Sequence, residues 1–193
     1  SVVLDPANPN IVYAGTGEQN FSADSFYGCG VLRSSDGGNT WTRLGGGIFS
    51  TATGGATISR VLVDPSGAGT LTGSKVFAAT SFGLYRSVDS GPNWTNTLTG
   101  IVTDVAMDPL NSNTLYAAVG TIFGAAENGI YKSVNNGVTW TKLAGGLPAT
   151  NLGRIVLSVA PSAPSTIYAA VQNSATFQLL GIGFGLVPVV LAA

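Results

Sequence analysis

The chain has 193 residues, enough for one domain with a proper core, and a net charge of −1 with only 9% charged residues, so no field is present to attract nucleic acid or an anionic membrane. There is no histidine, which excludes Ser-His-Asp and Cys-His catalysis and the usual zinc ligands, and Cys29 is alone, which excludes an intrachain disulfide. Glycine supplies 27 residues and helical periodicity is absent, so the composition is one of strands and turns.

In chain order, residues 4–14 (LDPANPNIVYA) read as a strand, a proline-containing turn and a second apolar strand, and the element returns at 107–118. Degenerate forms stand at 63–65 with 76–79 and at 160–161 with 167–170. After it comes a short apolar segment headed by glycine (30–33, 83–86, 129–132), and then an eight-residue stretch: SSDGGNTW at 34–41, SVDSGPNW at 87–94 and SVNNGVTW at 133–140. Two short strands around an Asp/Asn-Gly centre predict a β-hairpin, because these residues tolerate the left-handed backbone of tight turns. The third position, Asp36, Asp89 or Asn135, is placed to accept hydrogen bonds from the turn's own amides. The closing Trp41, Trp94 or Trp140 offers an apolar face to cover the hairpin. A carboxylate that recurs at each hairpin and is replaced by Asn in one reads as structural, and no metal site or cofactor is implied.

Four strands per unit, with Asp36, Asp89 and Asn135 separated by 53 and 46 positions, give the spacing of propeller blades. The expected fold is an all-β propeller of four-stranded antiparallel blades, at 1–45, 46–99, 100–146 and 147–193, forming a single domain or part of a ring. In the last unit Leu179-Leu180-Gly181-Ile182 lines up with Gly129-Ile130, but the uncharged stretch 183–193 takes the place of a box. That stretch is too short and too interrupted by Gly and Pro to span a bilayer as a helix, and reads as a buried closing strand or a subunit contact. It leads to the expectation of a homodimer through 179–193 and 1–4, since open blade edges need covering.

The eight-residue pattern resembles the Asp-box, or BNR repeat, of sialidases, sortilin-type receptor domains, family 74 xyloglucan hydrolases and many secreted bacterial proteins. Ser34, Asp36, Gly38, Thr40 and Trp41 match it in full; Ser87, Asp89, Gly91 and Trp94 match with Asn93 for Thr; Ser133, Gly137, Thr139 and Trp140 match with Asn135 for Asp. The resemblance implies that the boxes are structural hairpins on the side away from any active site. With the sparse charge and the Ser/Thr/Asn/Gly-rich composition it also implies a secreted or envelope-exposed protein. The first residue is Ser and no signal peptide is visible, which reads as a processed chain or an internal fragment.

If the boxes join third and fourth strands, the loops between second and third strands and those between blades share the opposite side. These are 15–30, 44–59, 120–129 and 145–154. On that side are expected Glu18, Asp24, Asp104 and Glu127, the catalytic candidates, with Phe21, Phe26, Tyr27, Phe123, Arg60 and Arg154 as further ligand-binding candidates. Carboxylates beside aromatics suit a sugar, with hydrogen bonds to hydroxyls and stacking on ring faces. Three functions follow: a glycan- or protein-binding module without catalysis, a glycoside hydrolase using a carboxylate pair, or an assembly factor, for which a basic patch is missing. For a sialidase, two arginines fall short of the family's three.

Overall fold

The computed structural model describes residues 1–22, 24–51, 54–148, 150–175 and 184–187. Among them the regular structure is strand, with no α-helix and no helix long and apolar enough to cross a membrane. The chain divides into two compact units, Ser1–Thr99 and Gly100–Ala193.

In the first unit β1 (Val2–Leu4), β2 (Val12–Gly15), β3 (Val31–Ser34) and β4 (Thr42–Arg43) form one antiparallel sheet in sequence order. A two-residue pair, β5 (Ser50–Thr51) and β6 (Gly54–Gly55), precedes the second sheet. That sheet consists of β7 (Ile58–Val63), β8 (Val76–Thr80), β9 (Gly83–Ser87) and β10 (Thr95–Leu98), again antiparallel and in order. The second strand β8, VFAAT, is buried at every position, the unbroken apolar run expected of a strand covered on both faces rather than the alternation of a half-exposed one. The core of this unit gathers Tyr13, Val31, Ile58, Val61 and Val76 from the strands, and Phe49 from the glycine-rich stretch between them.

In the second unit β11 (Val102–Asp108), β12 (Asn111–Val119), β13 (Gly129–Ser133) and β14 (Thr141–Lys142) make a four-stranded antiparallel sheet. The last sheet has three strands, β15 (Leu152–Val159), β16 (Ile167–Asn173) and β17 (Phe184–Val187). Its third strand is therefore formed by the uncharged stretch itself, pairing Gln172 with Phe184 and Ala169 with Val187. Residues 179–182, where the repeat alignment starts that strand, lie outside the described residues. The core of the unit is built from Tyr116, Ala118, Ile130, Ile155, Leu157 and Ile167.

Candidate functional site

Antiparallel order sends alternate connections to alternate ends of each sheet, so the eight-residue hairpins and the Asp-Pro turns share one end and the glycine-rich loops the other. At the hairpin end the polar groups are bonded to one another. Ser34 Oγ accepts the amides of Asp36 (3.2 Å) and Gly38 (2.8 Å) and donates to Asp36 Oδ1 (2.7 Å). Ser87 repeats this with Asp89 and Gly91, and Ser133 with Asn135 and Gly137. All three serines are buried. The third-position side chain then takes the amide of Thr40, Asn93 or Thr139, and its second polar atom meets that residue's side chain. In the first hairpin the Thr40 hydroxyl donates to Asp36 (2.6 Å), and in the second the Asn93 amide donates to Asp89 (2.6 Å). In the third the polarity reverses, with Asn135 donating to Thr139 Oγ1 (2.8 Å). This is why Asn serves where the others have Asp.

The next residue anchors each hairpin to the Asp-Pro turn beside it. The amides of Gly37, Ser90 and Asn136, all with positive φ, donate to the carbonyls of Asn10, Ser74 and Asn113, each at 2.9 Å. The aspartates of those turns are likewise occupied, Asp5 Oδ1 by the amides of Ala7 and Asn8, and Asp64 by Ser66 and Lys75. The tryptophans do not share one role. Trp94 is 7% exposed and packs edge-on against Phe49, whereas Trp41 is 43% exposed and donates its indole N–H to Gly38 O (2.9 Å).

Two consequences follow for the hairpins. Thr40, through its hydroxyl and then its amide, holds the Asp36 carboxyl at about 2, with the Ser34 hydroxyl adding to the effect. A depressed carboxyl contributes stability above its unfolded value of 3.8 and loses it as pH falls through about 2, and the neutral Asn135 hairpin has no such dependence. Ser87→Ala should cost about 1–3 kcal/mol, because the Gly91 amide it leaves behind is buried without its acceptor. Asp36→Asn should be milder, as the third hairpin already works that way. Thermal melts of the two variants check the order, and a Ser87→Ala protein melting with the parent would remove serine from the centre of the hairpin.

At the loop end of the first unit, residues 16–22 and 24–30 fold back over the β5–β6 pair. Gly28 donates to Ala56 O, Glu18 to Phe26 O, and the Thr16 hydroxyl to Gly30 O (2.7 Å). The Tyr27 ring lies over Gly54, where a Cβ would sit 2.8 Å from the ring carbon and where φ is +155°, so only glycine fits. Phe26 and Tyr27 are 74% and 69% exposed. Glu18, Asp24 and Arg60 are exposed, and Phe21 is partly buried with φ of +58°. The Ser22 hydroxyl, donated at 2.6 Å, holds the Asp24 carboxyl below its usual range. Such a group is not a general acid, which needs a raised value.

The loop end of the second unit carries Phe123, 78% exposed, and Glu127, also exposed, on the loop after β12. Arg154 is a partly buried residue of β15. Asp104 departs from the expected position. It is 2% exposed within β11, and its carboxylate accepts the amides of Val105 (2.9 Å) and Leu157 (2.8 Å), tying β11 to β15. It therefore holds two sheets together and does not reach the loop surface. The candidate carboxylates thus divide into Glu18 and Asp24 in one unit, Glu127 in the other, and a buried Asp104. Among the described residues no group of three or more His, Cys, Asp and Glu is placed to hold a metal ion.

Two cations on the loop side were not picked out by sequence. Arg43, at the end of β4, donates to Ser50 Oγ (2.6 Å). Lys142, two residues beyond Trp140, lines a cleft of about 360 Å³ in the second unit. The only signal for either is a basic residue in the strand after the first and third hairpins, with none in Thr95–Leu98 after the second, and alternation alone reads it as a solvated face.

No family model and no curated protein matches the chain. Solved structures do. An ancestral GH74 enzyme matches with a TM-score of 0.66 and 22% identity over 90% of this chain. A GH74 enzyme from Niastella koreensis matches with 0.61 and 25% over 90%, and the GH74 xyloglucanase from Xanthomonas campestris with 0.59 and 18% over 88%. The chain spans about a quarter of the length of these enzymes, 22%, 26% and 26% respectively. With the four-stranded antiparallel sheets, this likeness makes the fold an all-β propeller type.

Proposed function

We propose that the chain is an Asp-box propeller segment, one sheet to a blade, that binds a glycan through its loop ends without hydrolysing it. The observation that carries the reading is the contrast between the two ends. Polar groups of the hairpin ends are spent on internal hydrogen bonds, whereas the loop end of the first unit displays Phe26 and Tyr27, and that of the second Phe123, beside polar loop groups. Exposed ring faces on glycine-braced loops are what a pyranose ring stacks on. The GH74 likeness supports a second reading, hydrolysis, but that needs a carboxylate pair flanking the scissile bond. Asp104, one of the four candidates, is buried and bonded to the Leu157 amide rather than open to a ligand, which favours binding alone. The same reading includes extracytoplasmic residence, supported by the sparse charge, and a homodimer, supported by the exposed Val2 and Leu4 of β1.

A panel of plant and microbial glycans, scored for both binding and release of reducing ends, tests the reading. Binding without release is expected, with Tyr27→Ala and Phe123→Ala each weakening the ligand that faces that residue roughly tenfold at unchanged melting temperature. Release of reducing ends would replace it with hydrolysis, and silence across the panel would remove the glycan.

A further inference from the structure

In the second unit the 120–128 loop faces residues 143–148 and 150–152 across the 360 Å³ cleft, a size within the range of small-ligand sites, about 300–1,000 Å³. Its two walls are joined beforehand. Asn128, buried, donates from Nδ2 to Leu152 O (2.6 Å) and to Thr121 O (3.2 Å), and its Oδ1 accepts the Thr121 amide (3.2 Å). The side chain therefore has its hydrogen bonds made inside the protein and holds the cleft open rather than offering itself to a ligand.

Among the described residues that line the cleft, Lys142 is the one ionisable side chain. Its Nζ is placed by a hydrogen bond to Ala126 O (2.6 Å), and its stem runs over Gly129, where a Cβ would come 2.6 Å from Cε. An ammonium has three donors, so two remain for a ligand. A lone fixed cation with no carboxylate in the lining cannot run acid-base hydrolysis, but it does select an anion. Phe123, exposed, immediately precedes the lining residue Gly124 in the chain.

We propose that this cleft is a subsite for an acidic saccharide, a uronic acid residue whose carboxylate meets Lys142 while a neighbouring sugar lies on Phe123. The proposal rests on the glycan-binding reading and narrows it from glycans in general to acidic polysaccharides. Glu127, on the same loop but outside the lining, opposes the anion weakly across solvent.

The test is calorimetric titration of the whole chain with trigalacturonate and with its fully methyl-esterified form. The acid should bind at least tenfold more tightly than the ester, and raising the salt from about 50 to 500 mM should shrink that gap. Lys142→Gln should lower the affinity for the acid to about that of the ester, and Lys142→Arg should keep most of the gap. If Lys142→Gln melts early, the salt series on the parent protein decides alone. Equal affinity for acid and ester, or a gap that survives Lys142→Gln, overturns the subsite. If neutral glycans still bind and still respond to Phe123→Ala, the glycan reading stands without it. If no glycan binds at all, both fall.

Discussion

Replacing Phe49 with alanine is expected to destabilise the first unit by about 3–5 kcal/mol, the range for removing a large aromatic side chain from a packed interior. The residue comes from a stretch of glycines, yet it is among the largest fully buried side chains. Its ring meets Tyr85 edge-on at 5.2 Å and Trp94 at 5.4 Å, and its neighbours in the core come from both four-stranded sheets of that unit. Truncation leaves a cavity whose walls belong to strands on either side and cannot easily collapse. Chemical denaturation of Phe49→Ala should show the loss, and Phe49→Leu should recover more than half of it. A Phe49→Ala protein within about 0.5 kcal/mol of the parent would mean that the stretch is a surface loop after all.

What could be read from the chain and what could not divide along a physical line. The hairpins and Asp-Pro turns were legible because their chemistry is local: Ser34 bonds Asp36 and Gly38, and Asp36 bonds Thr40, all within an eight-residue window. Strand order followed from the recurrence of those windows. Phe49 was read as part of an open loop, because alternation reports which side chains share a strand face and is blind to a loop residue that folds inward. Asp104 was read as a surface carboxylate because its partner, the amide of Leu157, is 53 residues away. Lys142 acquires meaning only where two stretches of the chain, 124–129 and the described residues of 142–152, close around it. The serine at the first hairpin position was visible in every copy, but the pattern does not say that it, rather than the aspartate, is the buried centre.

Asp104→Ala is expected to cost about 3 kcal/mol, since two buried amides lose hydrogen bonds to a charged acceptor. The first unit shows the same joint made differently. Ser1, which precedes Val2 as Asp104 precedes Val105, accepts the Val61 amide on its Oγ at 3.1 Å. A neutral acceptor at this position is therefore enough for one inter-sheet bond, and the carboxylate adds the bond to its own neighbour. Asp104→Asn, keeping one carbonyl oxygen in place, should lose less than Asp104→Ala. The Thr103 hydroxyl, bonded to Ile155 O at 2.6 Å, keeps β11 and β15 in register in both variants, so the loss should fall on stability with the fold intact. The discriminating readout is ligand binding per folded molecule, measured well below the melting transition. A joint between sheets predicts unchanged affinity in Asp104→Asn and Asp104→Ala alike. A carboxylate that acts on a ligand predicts the reverse, with binding or turnover lost in Asp104→Asn while the melting temperature stays near that of the parent. That second result would return Asp104 to the candidate site and require the sheets to open there.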